Sequence, residues 1–139
     1  MNISIRHGVA WSVLVLLGAD LVGCEMKSGP PTYKLSGAIT FDGQPIPKGM
    51  IVFTPDSSKG NSGPQGVAMI TDGKYDTSTA NGSGVGSGPT IVRVMGEGGA
   101  ESKLICEYEY SVDLPPQDSE LPISVPATAA NRKPPSPEI

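Results

Sequence analysis

Between residues 33 and 126 the chain alternates apolar and polar side chains with a period of two, and Gly and Pro punctuate the pattern. Successive side chains of a strand point to opposite faces, so this alternation marks half-buried strands. Residues 33–41 place Tyr33, Leu35, Gly37, Ile39 and Phe41 at odd positions and Lys34, Ser36, Ala38 and Thr40 at even ones. Asp42-Gly43 then marks a turn. Residues 50–54 (MIVFT) read as a short apolar strand closed by Pro55, residues 57–64 (SSKGNSGP) as a loop, and residues 65–71 as another strand. Asp72-Gly73 makes a tight turn into residues 74–77, and residues 90–95 (TIVRVM) form a fifth strand. Further on, Tyr108, Tyr110, Val112 and Leu114 share one face, while Glu109, Ser111 and Asp113 share the other. Leu121, Ile123 and Val125 alternate with Pro122, Ser124 and Pro126 in a last short strand. Its prolines place it at a sheet edge, since Pro cannot donate to a ladder. About seven short strands with frequent turns predict an all-β fold, a small Greek-key-like β-sandwich. With 18 Gly and 14 Pro, the composition favours turns and short strands over long helices.

The N-terminus obeys a different logic. Arg6 precedes the apolar run VAWSVLVLL at residues 9–17, the charged-then-apolar order of a secretory signal. The run is shorter than the roughly 20 apolar residues of a spanning helix, and Asp20 blocks its extension. Next comes Leu21-Val22-Gly23-Cys24. This tetrapeptide resembles the lipobox of bacterial lipoproteins: a branched apolar residue, a small or apolar one, Gly or Ala, then Cys. The resemblance implies cleavage between Gly23 and Cys24 and lipidation of the Cys24 thiol, with palmitate-like chains as the anchor. A thiol is the soft nucleophile that a thioether requires, and each buried methylene adds about 0.8 kcal/mol to anchoring. The expected organisation is a signal peptide at 1–23, a lipidated cysteine and tether at 24–32, a β-sandwich at 33–126 and a disordered Pro-rich tail at 127–139. The tether residues 25–32 reach at most about 28 Å at about 3.5 Å per residue.

Within the predicted sandwich, Leu35-Ser-Gly-Ala-Ile-Thr-Phe-Asp-Gly-Gln-Pro-Ile resembles the pattern V-x-G-x-V-x-x-x-G-x-P-L of the carboxypeptidase regulatory-like, or transthyretin-like, β-sandwich. Gly49-Met-Ile-Val-Phe-Thr-Pro resembles that family's G-A-x-V-x-F-x-P strand. Thr71-Asp72-Gly73-Lys74-Tyr75 is similar to T-D-x-D-G-x-F, shortened by two residues. Gly88-Pro89-Thr90-Ile91-Val92-Arg93-Val94 is similar to P-G-x-Y-x-V-x-V, with the Pro and Gly order altered and Ile91 where Tyr is usual. These are turn and core positions. The resemblance therefore implies a fold and carries no catalytic residue.

The side-chain inventory narrows the chemistry. The only His, His7, and the only Trp, Trp11, precede Cys24. The remaining chain has no imidazole for a Ser-His-Asp triad or a zinc site, so neither an enzyme nor a metal cofactor is expected. Stacking platforms would depend on Tyr33, Phe41, Phe53, Tyr75, Tyr108 and Tyr110, and at least half of these lie on predicted core faces. The net charge is −4, and an acidic chain repels phosphate backbones, so no nucleic-acid partner is expected. The Gly-rich stretch at residues 81–88 (NGSGVGSG) lacks the Gly-Lys-Ser/Thr ending of a phosphate loop.

Glu107, Glu109 and Asp113 line the outward face of one predicted strand. Such a row can attract calcium or a basic partner, or it can serve as a solvated face that discourages edge pairing. Asp72 and Asp76 flank a tight turn where calcium is one reading, though turn chemistry alone explains Asp72-Gly73. Cys106 shares parity with Tyr108 and Tyr110, which predicts an inward thiol; an intermolecular disulfide is the alternative. The expected role is a membrane-anchored cell-envelope lipoprotein facing the periplasm or cell exterior. Its non-catalytic β-sandwich would have a structural or protein-interaction role, with an envelope protein or polymer as partner. The alternative is a ligand-binding module, for calcium or an exported polymer, at the loops 57–64 and 81–88.

Overall fold

The alternation seen in the sequence becomes strands because each apolar set has a shared interior to enter. The computed structural model describes residues 29–79 and 82–130. In chain order the strands are β1 (Leu35–Phe41), β2 (Gln44–Pro45), β3 (Lys48–Pro55), β4 (Gly66–Thr71), β5 (Lys74–Asp76), β6 (Gly88–Gly98), β7 (Lys103–Leu114), β8 (Ser119–Glu120) and β9 (Ile123–Val125). They form a curled sheet in the order β2-β1-β5-β4-β3-β6-β7, with β8 and β9 paired to β1. The all-β expectation holds. The Greek-key character lies in β3, β4 and β5, which are successive antiparallel neighbours, with β1 returning beside β5.

Strand β3 sits between β4 and β6, antiparallel to both. Its Ile51 and Phe53 are buried, while Met50 and Val52 between them are only half-buried. Ala68 and Ile70 of β4 and Val92 and Val94 of β6 join the same interior. Leu35 and Ile39 close it from β1, and Ile123 and Val125 from β9. Phe53 lies 6.1 Å from the Tyr75 ring in a tilted contact, a geometry aromatic pairs favour.

Turn chemistry sets the hairpins. Asp42 and Gly43 have φ of 49° and 77°, and Asp72 and Gly73 have 49° and 72°. Two consecutive positive φ values are the requirement of the type I′ hairpin turn, which Asp-Gly meets at low cost. At Gly37 the need is space: a Cβ there would collide with the Leu121 carbonyl oxygen. That same carbonyl accepts a 2.6 Å hydrogen bond from the Tyr75 hydroxyl. The segment carrying β8 and β9 thus lies close over β1.

Three findings extend or correct the sequence reading. Strands β6 and β7 run past the predicted residues 90–95 and 108–114, because backbone pairing continues through a glycine-rich stretch with a register shift at Gly96/Glu97. The last strand is an edge as expected, but β9 pairs with β1 in parallel. The ordered chain does not stop at residue 126. Ala127–Ala129 form a 3₁₀ turn, Ala130 bridges to Cys106, and Ala129 packs on the core. Residues 131–139, the rest of the expected tail, lie outside the described residues, as do the expected signal peptide and Cys24.

Phe53 is 1% exposed and central to this packing. Phe53→Ala is expected to lower unfolding free energy by about 3–5 kcal/mol, read as a lower midpoint in urea denaturation. An unchanged midpoint would contradict the assigned core.

Candidate binding surface

The acidic residues singled out in the sequence do share the exposed face of β7. Register supplies what the strand alone could not show. Arg93 of β6 stands opposite Glu109. Its Nε and Nη2 both donate to one Glu109 carboxylate oxygen, at 2.9 and 2.8 Å. Glu107 lies 4.0 Å from the same guanidinium. Asp113 is farther along, opposite Pro89. The row is therefore part of a mixed-charge pattern. Arg93 was legible in principle, since it takes the outward parity of residues 90–95.

Loops 57–64 and 81–88 do meet at one end of the molecule; Asn81 itself lies outside the described residues. Asn61 Nδ2 donates to the carbonyls of Ser87 and Pro89, at 3.1 and 2.7 Å. Asp56 begins the first loop and accepts from the Ser58 hydroxyl and amide, at 2.5 and 3.1 Å. Those bonds, the hydroxyl's foremost, hold its carboxyl below the usual range. Asp76 is engaged in the same way by the Ser78 hydroxyl and amide, with Lys34 Nζ at 3.2 Å. Its carboxyl is likewise lowered, chiefly by the Ser78 hydroxyl. Among the described residues every buried side-chain polar atom has a partner, and no group of three or more His, Cys, Asp or Glu gathers as a hard-metal site. The loops thus satisfy one another.

The outward face of β4, β3 and β6 differs. Met69, Met50 and Met95 lie in one register row, with Glu107 of β7 at its end. The next row holds Val67, Val52, Arg93 and Glu109. Met69 is 45% exposed, and Met50 and Met95 are half-buried. Met69 separates two open clefts. One of about 660 Å³ is bordered by Lys48, Met50, Asp72 and Glu97; the other, of about 610 Å³, by Ala38, Lys74, Asp76 and Glu120. An apolar centre is therefore rimmed by both signs of charge. Sequence reasoning missed this site, because the methionines are distant in the chain and only strand register unites them.

On the core side of β7 the Tyr108 and Tyr110 rings stack with centroids 5.5 Å apart. Burial, then the neighbouring Tyr108, pushes the Tyr110 hydroxyl up to about 12. Burial above all also raises Tyr75, with Tyr110 and Glu120 adding to it. Cys106 is fully buried and free, so the inward-thiol expectation describes its place; burial raises its thiol as well.

No family model, curated protein or solved structure matches the chain. Among the described residues no helix is long and apolar enough to cross a membrane.

The tyrosines set a pH dependence. Tyrosine in the unfolded chain titrates near 10. The folded hydroxyls titrate higher, so the stability they contribute is full below about pH 10 and is lost as pH rises through about 12. Denaturation midpoints are expected to fall across that window, less steeply in Tyr110→Phe. Equal slopes in the two proteins would contradict the assignment to Tyr110.

Proposed function

We propose that the chain is a cell-envelope lipoprotein, held to a membrane through lipid on Cys24, whose β-sandwich is a non-catalytic binding module. Its working surface is the outward face of β3, β4 and β6. The observation that carries this reading is the outward row Met50, Met69 and Met95, whose exposed Met69 separates two clefts rimmed by charge. A patch with an apolar centre and a polar rim has the anatomy of a recognition surface. Methionine suits such a surface because its unbranched, polarisable side chain adapts to a ligand.

Two further observations support the reading. The only imidazole lies at position 7, before the proposed cleavage site, which leaves the exported domain without the usual general base. Glu109, Asp56 and Asp76, acidic groups that could recruit a hard cation, are engaged by Arg93, Ser58, Ser78 and Lys34. The lipobox-like Leu21-Val22-Gly23-Cys24 supports the anchor. The turn and core motifs that resemble the carboxypeptidase regulatory-like domain suit a module working through its surface.

The anchor and the surface are tested separately. Cells fed a clickable palmitate analogue are expected to label the wild-type protein and not Cys24→Ala. Label on neither protein, with secreted soluble material, would remove the anchor. A photo-cross-linking residue at Met69 is expected to yield a defined adduct in cells, and the same residue at Ser57 none. The opposite pattern would move recognition to the loops.

A further inference from the structure

We propose that Met50, Met69 and Met95 form a binding site for a soft monovalent metal ion, copper(I) above all; the proposal rests on the outer sheet face being the module's binding surface. Register places Met50 opposite Met69 on one side and opposite Met95 on the other. Parity then turns all three the same way, since their chain neighbours Gly49, Ile51, Ala68, Ile70, Val94 and Gly96 are all buried. Directly opposed residues of neighbouring strands have Cβ atoms about 4.5–5.5 Å apart. Each methionine has three rotatable bonds, so the outer two can lean over the central one and present three sulfurs to one ion.

The donor set decides which ion. Thioether sulfur is soft and selects copper(I) over harder cations. Zinc sites draw on thiolate, imidazole or carboxylate, and calcium on several oxygens. Among the described residues no group of three or more acidic, Cys or His side chains offers those. At the end of the row Glu107 stands opposite Met95. Its side chain is 55% exposed, with only a 4.0 Å approach to Arg93, which leaves a negative charge available beside a monovalent cation. Open clefts lie beside each methionine: Met69 borders two, Met50 one of these, and Met95 a third of about 480 Å³.

The choice of residue is itself informative. Four methionines lie beyond Cys24, at positions 26, 50, 69 and 95, and three of them meet in this row. A face that needed only to be apolar would be served better by Val or Ile, which fit a pleated strand. A thioether also has no proton to lose, so its affinity for the ion does not compete with protons as that of a thiolate does.

The test titrates the full-length chain, purified in detergent as Cys24→Ala, with copper(I) under anaerobic conditions against a chromophoric copper(I) chelator. Silver(I) serves as a redox-inert second probe. One ion per chain is expected, with affinity unchanged between about pH 5 and about pH 8, the range in which a thiolate or imidazole site would weaken. Met50→Leu, Met69→Leu and Met95→Leu are each expected to weaken binding by roughly tenfold or more, and the triple variant to abolish it. Leu conserves volume, so circular dichroism and the denaturation midpoint should stay unchanged. Copper(I) binding of equal strength in the triple variant, or affinity that falls as pH is lowered, would overturn the proposal and point to His7, retained in this chain, or to Cys106. Absence of binding while the Met69 cross-link persists would remove the metal site and leave the binding face standing.

Discussion

Strand β3 is the constraint on which both the interior and the outer face depend. It is paired along its length to β4 on one side and to β6 on the other. Its alternation gives Ile51 and Phe53 to the core and Met50 and Val52 to the outside. A slip of one residue would exchange those sets, exposing Phe53 and burying Met50. The register that excludes the slip is pinned at the β4–β5 end by the Asp72-Gly73 turn, where both residues have positive φ. The same register aligns position 50 with positions 69 and 95. Core packing and the methionine row are therefore two outcomes of one alignment.

Each signal in the sequence acts over a limited range, and that range decides how much of the fold was legible. Alternation and turn residues act locally, so the strands around residues 35–41, 50–54 and 108–114, and the two Asp-Gly turns, could be read directly. Strand length beyond the side-chain pattern could not. Residues 96–98 (GEG) have little strand propensity, yet β6 continues to Gly98 because β7 lies alongside to accept and donate backbone hydrogen bonds. The parallel pairing of β9 with β1 joins segments more than 80 residues apart, and nothing local encodes it. The bridge from Ala130 to Cys106 is of the same kind.

The candidate site shows the same division. Each of the three methionines sits on a strand at an outward position, which parity alone could have shown. Their union needed two strand registers. The acidic row was legible because all its members lie on one strand, but its Arg93 partner lies on another. That pairing also lowers the row's importance. Arg93 and Glu109 are each about half exposed, and exposed pairs of this kind contribute less than about 1 kcal/mol. The residues easiest to see in the sequence thus form a screened surface feature, whereas the methionine row is brought together only by pairing across two strand interfaces.

Chain direction also bears on where recognition takes place on a tethered molecule. The described chain enters at Tyr33, whose backbone pairs with Val85, and the Lys34 amide bonds to Asp118 at 2.8 Å. Strand β1 leads away from that end, and β3 leads back to it. The loop around Asn61 and the stretch around Gly84 and Val85 therefore sit beside the tether, while Asp42-Gly43 and Asp72-Gly73 lie at the opposite end. On the reading in which Cys24 carries lipid, a tether of at most about 28 Å limits how far the entry end can stand from the bilayer. Met50 and Met69 lie near the Asp72-Gly73 end, away from the point where the tether joins, so on that reading the methionine row stands farther from the anchor than the loops do.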